Sequence, residues 1–274
     1  PALTSAGAGA FLYQGPAMRI RDIIACIEEM APLSGAADWD RSGLQVYSPR
    51  TEASRVCVAL DPTPETVKKA LGEGADFIFT HHPLALKPGL PNRPGNYYET
   101  LSLLMKADVP LYAAHTSLDV QPDGPAGWLA RFLQFVHPSL LDATGPDTGF
   151  GLAGDLPGAM SFDDLVRRLG TVISLDTAVV IGDVPEKITR AAYCTGSGAS
   201  LLPEAERSGA QIYITGDVKY HAALDARICV LDVGHHSLEE EMMRQAAQML
   251  AGRLTGADVS FIASVPPMRR VVLS

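Results

Sequence analysis

Cysteine is scarce in this chain, and none of it falls in a paired motif. Cys26, Cys57, Cys194 and Cys229 are scattered along 274 residues and form no C-x-x-C. Cys57 and Cys229 lie inside apolar strand-like runs and read as buried thiols. Such usage points to a reducing, cytoplasmic setting. Long apolar runs are also missing: no window approaches the unbroken length that spans a bilayer, so no membrane partner is expected. Basic charge is in deficit. Lys and Arg number 22 against 31 Asp and Glu, a net charge of -9, which argues against a nucleic-acid surface while leaving room for a local basic pocket. The first residues have no positive stretch leading into an apolar core. Residues 1–17, rich in Ala and Gly ahead of Met18, therefore read as a disordered extension, native or added for expression, rather than a signal peptide.

What remains is a globular composition. Hydrophobic residues make up 47% and charged residues 19%, enough for a sizeable core in one large domain or two ordinary ones. From Met18 to about Met30, Ile20, Ile23, Ile24 and Ile27 repeat at helical spacing. The stretch Asp38–Val46 reads as a polar turn entering a short strand, or as an ordinary loop with Gly43 as its turn residue. Arg55–Leu60 is a buried strand. Thr63 and Pro64 start a helix that stops at Gly72 and Gly74. Ala75–Phe79 is a second strand, so the unit is βαβ and its strands should be parallel. Further strands are expected at Pro110–Ala114, Ala178–Ile181, Arg190–Cys194, Gln211–Ile214, Arg227–Val233, Val259–Ala263 and Val271–Leu273. Helices are expected at 98–107, 128–135, 161–169, up to Ser208, 219–226 and 237–254, and 137–154 reads as irregular. The Gly196–Ser200 turn is an ordinary βα turn or a cradle for a small anion.

The histidines carry the chemistry. Of seven, five follow strand-like runs: His81, His82, His115, His235 and His236. Ligands of parallel sheets bind at the carboxyl ends of strands, so these clusters can meet in space. His235 and Glu239 are four apart on the start of a helix, and His115 and Asp119 share that spacing. Imidazoles with two carboxylates suit Zn, Fe, Mn, Co or Ni. The set is too large for one tetrahedral zinc, and a carboxylate can bridge, which favours two divalent ions about 3.5–4 Å apart. His115 and His236 each have a second reading as supporting or core residues, and His137 and His221 read as surface or structural.

The order Asp38-Trp39-Asp40…Gly43-Leu44-Gln45, Thr80-His81-His82-Pro83, His115-Thr116-Ser117-Leu118-Asp119, Gly196-Ser197-Gly198, Thr215-Gly216-Asp217 and Gly234-His235-His236…Glu239 resembles the Nif-three-like family, whose members are described as GTP cyclohydrolase I type 2 homologues. The resemblance covers nearly the whole chain after Met18. It implies two interlinked α/β domains with mainly parallel sheets flanked by helices, here 18–121 with 235–274, and 122–234. It also implies a dinuclear metal site on His81, His82, Asp119, His235 and Glu239, with Glu239 bridging, and a ring-shaped homohexamer. The chain departs from the family pattern at Arg41, where Asn is usual, at the run Asp123–Gly127, and near Gly151–Gly154, where an Arg is missing.

Two functions are carried forward. One is a metal-dependent hydrolase that opens the guanine ring of a nucleotide, with His115 as proton shuttle. The other is a metal-binding regulatory or scaffold protein without turnover.

Overall fold

The structure, a computed structural model, describes residues 16–269 and 271. The extension expected at 1–17 falls almost wholly outside those residues. So does the expected strand at 271–273, of which only Val271 is described, in no strand.

In chain order, β1 (Met18–Arg19) leads into α1 (Ile20–Met30), which buries Ile23, Ile27 and Met30 along one face as their spacing predicts. Then come β2 (Gly43–Val46), β3 (Glu52–Ala53) and β4 (Arg55–Ala59). α2 (Pro64–Gly72) begins where expected, with Thr63 Oγ1 accepting the Thr66 N–H at 3.1 Å. β5 (Phe77–Thr80), α3 (Asn96–Ala107), β6 (Leu111–Ala113) and the one-turn α4 (Thr116–Asp119) complete this part. The middle of the chain forms α5 (Trp128–Leu133), β7 (Val136–Ala143), β8 (Gly149–Met160), α6 (Phe162–Leu169), β9 (Val179–Ile181), β10 (Ile188–Tyr193), α7 (Leu202–Arg207), β11 (Ile212–Thr215), α8 (Tyr220–Asp225) and β12 (Cys229–Asp232). The chain then returns through α9 (His235–Arg253) to β13 (Asp258–Phe261).

Two sheets result. The five-stranded one runs β13-β4-β5-β6-β2, parallel except for its edge strand β2, and takes its last strand from the far end of the chain. The six-stranded one runs β7-β8-β10-β11-β12-β9, with a parallel centre and antiparallel flanks. This is an α/β fold. Alternate residues along each strand serve different cores. Val56 and Val58 of β4 face one cluster, while Cys57 and Ala59 face the cluster under α2 and α3. Ile212 and Ile214 of β11 join the first cluster, and Tyr213 faces α7. The first cluster thus takes side chains from both sheets, with Leu238, Met242, Ala246 and Leu250 of α9 in its midst. That burial fixes the position of the amino-terminal end of α9, where His235 and Glu239 lie.

The segment 137–154, read as irregular, is instead the long antiparallel hairpin of β7 and β8. Its disguise has physical causes. β7 is largely exposed, so it lacks an apolar alternation, and its ladder shifts register between Val136 and Ser139, around His137 at φ +50° and Pro138. β8 carries glycine for a packing reason: a Cβ at Gly154 would come within 2.6 Å of the Phe135 ring.

Candidate metal centre

His81 and His82 leave the end of β5. His115 follows β6, and Asp119 closes the short helix α4. His235 opens α9 directly after β12, and Glu239 lies one turn on. The strand ends that meet here come from two sheets. β5 and β6 belong to the five-stranded sheet and β12 to the six-stranded one, so the site forms where the carboxyl ends of two sheets meet.

The geometry centres on Glu239, which is 3% exposed. Its Oε2 lies 2.9 Å from His235 Nε2 and 3.2 Å from His82 Nε2, and its Oε1 lies 3.6 Å from His81 Nε2. Asp119 Oδ1 is also 3.6 Å from His81 Nε2. The His115 ring stands 5.1 Å from that of His81 and 5.5 Å from that of His82, centre to centre. Two groups of side chains are close enough to share an ion: His81, His82 and His115, and His82, His235 and Glu239.

Each ring is fixed through its other nitrogen. His81 Nδ1 pairs with the Ala114 carbonyl at 2.9 Å, a group that can only accept, so Nδ1 carries the proton. His82 Nδ1 meets Asp61 Oδ1 at 2.7 Å, His235 Nδ1 meets Asp217 Oδ2 at 2.7 Å and His115 Nδ1 meets Asp40 Oδ1 at 2.8 Å. Carboxylates and carbonyls at Nδ1 leave every Nε2 free to act as a donor atom, the arrangement that orients metal-binding imidazoles.

Sequence reasoning missed Asp61 and Asp217 as partners, and it quoted Asp40 without a role. The signal was present, since Asp61 and Asp217 also fall just past strand ends. Asp40 shows what the Asp38–Val46 stretch does. Its buried carboxylate accepts from Arg41 N, Ser42 Oγ, Thr116 N, Thr116 Oγ1 and His115. Burial opposes its charge, but those bonds outweigh it and hold the carboxyl well below the usual range.

The donor set fits a divalent metal by two marks. Among the described residues, His81 Nε2 is buried without a hydrogen-bond partner, which a protein interior rarely tolerates, and the buried Glu239 Oε2 is faced by imidazole nitrogens at 2.9 and 3.2 Å. The atoms that crowd together are imidazole nitrogens and carboxylate oxygens, the donors such ions take. In the protein alone the charges respond to this crowding. Burial disfavours a charge on His82, yet Asp61 and Glu239 beside it push it up to about 10. Glu239 pushes His235 up to about 9 against its burial. His81 is likewise raised, burial being outweighed by Asp119 and Glu239. Burial raises Asp119, while Glu239 is held low by His235 and His81 despite its burial.

Gly196 makes room for the centre. It lies at φ +62°, and a Cβ there would fall 2.1 Å from Glu239 Oε1. The Gly196–Ser200 turn offers less to an anion than its sequence suggests, because the Gly198 N–H already donates to Thr215 Oγ1 at 3.0 Å. The remaining histidines stand apart. His236 Nε2 bonds Ser264 Oγ at 2.8 Å, and His137 and His221 are exposed.

No helix among the described residues is long and apolar enough to cross a membrane. A family model described as Duf34/NIF3 (NGG1p interacting factor 3) matches residues 18–266. A GTP cyclohydrolase 1 type 2 homolog from Clostridium perfringens is 31% identical over 253 residues, covering 90% of this chain and 96% of that protein. One from Methanocaldococcus jannaschii is 33% identical over 244 residues, covering 86% and 96%. Reduced HcgD from Methanocaldococcus jannaschii superposes with a TM-score of 0.78 at 30% identity, over 90% of this chain and 98% of that one. A Bacillus cereus protein related to NIF3 shares the fold with a TM-score of 0.81 at 21% identity, over 94% and 99%. Matched along most of its length by the family model and by these relatives, the chain belongs to the Duf34/NIF3 family of GTP cyclohydrolase 1 type 2 homologs.

Proposed function

We propose that this protein is a hydrolase dependent on two divalent metal ions, acting on a nucleotide at its guanine ring. His81, His82, Asp119, His235 and Glu239 would hold the ions, Glu239 being the carboxylate common to both. The observation that carries this reading is the set of Nε2 atoms aimed at two carboxylates, each imidazole tied back through Nδ1. Zn, Fe, Mn, Co and Ni all suit such donors. Bound there, the ions would supply an activated water and a Lewis acid for the group under attack.

The chain's own residues do the rest. The centre opens into a cleft of about 420 Å³, which Trp39, His115 and Thr195 help to line. Water adds to the ring carbon between the two imidazole nitrogens, and one C–N bond of that carbon then breaks. The departing nitrogen needs a proton. His115, oriented by Asp40 and with Nε2 free, holds it at that atom and delivers it. Asp40 keeps the ring in one tautomer through both steps.

A second reading, a metal-binding regulatory or scaffold protein without turnover, is favoured by one observation. No lysine or arginine among the described residues lines the cleft to receive phosphates. Turnover of GTP separates the two. The hydrolase reading predicts ring-opened product that requires added divalent metal and vanishes in Glu239→Gln. Metal-loaded protein with no product supports the second reading. A cytoplasmic setting is supported by the four free cysteines. A homohexamer is proposed on family grounds, and a monomer mass by light scattering across concentrations would overturn it.

A further inference from the structure

Three aspects of the cleft concern the substrate rather than the metal. The first is charge. Asp119, Asp142 and Glu239 line the cleft, and no lysine or arginine among the described residues does. Phosphate recognition relies on arginine forks, lysines or free N–H groups at helix starts. The nearest turn has spent its Gly198 N–H on Thr215. Asp119 and Glu239 belong to the metal centre, so the rest of the lining offers a polyphosphate the Asp142 carboxylate and neither an arginine fork nor a lysine.

The second aspect is aromatic surface. Trp39 is 58% exposed, against 3% for Trp128, the chain's other tryptophan. It meets the His115 ring edge-on, 5.7 Å between centres at 75°. Phe150, from β8 of the other sheet, lines the same cleft. Rigid aromatic faces at a cleft suit stacking on a flat ring, a contact indifferent to phosphate.

The third is Asp142. It projects from β7 into the lining, exposed, and its carboxylate has no hydrogen-bond or ion-pair partner among the described residues. An ionised carboxylate only accepts, and its two oxygens match two adjacent N–H donors. The edge of guanine that carries N1–H and the N2 amino group is such a pair.

We infer that Asp142 and Trp39 determine specificity: the cleft recognises its substrate by the donor edge and flat face of a guanine-like heterocycle, not by phosphates. The inference rests on the nucleotide-hydrolase reading. Trp39 supplies the stacking face and Asp142 accepts from the edge. The neutral hydroxyls of Thr195, Ser197 and Ser200 are left for the sugar. Nucleosides and nucleoside phosphates are then bound alike.

The test is a binding measurement on the metal-loaded protein, read by the emission of Trp39. Guanosine is expected to quench it saturably, with GTP binding less than about tenfold tighter. Inosine lacks the amino donor and should bind about tenfold more weakly, the lower end for a hydrogen bond to a charged group. Asp142→Asn should weaken guanosine and close the gap to inosine. Trp39→Phe should abolish the quenching and leave the buried Trp128 emission. In the binding measurement, any of three results overturns the inference: no saturable guanosine binding, GTP more than about tenfold tighter, or a guanosine–inosine gap that survives Asp142→Asn. Turnover is scored separately. Intact base selectivity without product removes the hydrolase reading alone. Product formed from GTP and from inosine triphosphate at equal kcat/KM removes this inference alone.

Discussion

Substituting Glu239 by Gln keeps the side chain's volume and removes one negative charge from the point where three imidazoles converge. Glu239 Oε2 is 2.9 Å from His235 Nε2 and 3.2 Å from His82 Nε2, and Oε1 is 3.6 Å from His81 Nε2. After the change, Asp119 would be the only carboxylate facing two dications in a poorly solvated site, and uncompensated charge there is costly. Losing an outer partner of a metal ligand already weakens binding by about 10–100-fold. Losing a shared anionic ligand should reach at least the upper figure, about 2.7 kcal/mol for each ion. The fold should survive. α9 is anchored by buried Leu238, Met242, Ala246 and Leu250, and burying a Leu or Met side chain contributes about 1.5–3 kcal/mol. Glu240→Gln is the control. Glu240 turns to the chain beyond β13, accepting from Ser264 N at 2.7 Å and Ser264 Oγ at 2.9 Å, so its variant should keep both ions. Metal per subunit and circular dichroism on both variants decide the matter. Glu239→Gln should lose at least one ion with its spectrum unchanged. Full occupancy in that variant would refute the bridging role.

Gly196→Ala drives a methyl into Glu239 Oε1 and puts an L side chain at φ +62°. Metal content should fall as in Glu239→Gln, with the fold weakened by about 1–2 kcal/mol in thermal unfolding; a variant with full metal would show that Glu239 has freedom to move. Asp217→Asn loosens His235 at Nδ1, and competition against a chelator should show metal binding about 10–100-fold weaker; unchanged affinity would remove Asp217 from the support of the site. His82 and His235, raised to about 10 and about 9, should both be imidazolium ions at pH 7 in the metal-free protein, each with a proton on Nε2 as well as Nδ1. A metal takes the unprotonated ring, so binding should release protons at pH 7 and weaken as pH falls. Calorimetry in buffers of different ionisation heat reads this, and a buffer-independent enthalpy would contradict it.

The histidines were legible because parallel strands present ligand-binding side chains at their carboxyl ends, and His81, His82, His115 and His235 all follow such ends. Local chemistry was legible too: the Thr63 cap forms as its position in the sequence suggested. What was not legible is long-range. Nothing local to Arg227–Val233 says that this strand joins a different sheet from Phe77–Thr80, since both are apolar runs. The β7–β8 hairpin hid behind exposure, a register shift and a glycine, Gly154, required by the Phe135 ring. Asp61 and Asp217 escaped because an acidic residue after a strand is ordinary in a turn; only their 2.7 Å approach to an imidazole Nδ1 marks them.

The most direct test of the account is metal stoichiometry. Protein purified without chelator and without nickel affinity, analysed by mass spectrometry for divalent metals, should carry two ions per subunit, and His82→Ala should carry fewer, because His82 Nε2 stands 3.2 Å from Glu239 Oε2 at the centre of the donor set. One ion or none in the parent protein, under conditions where added metal is freely available, would contradict it.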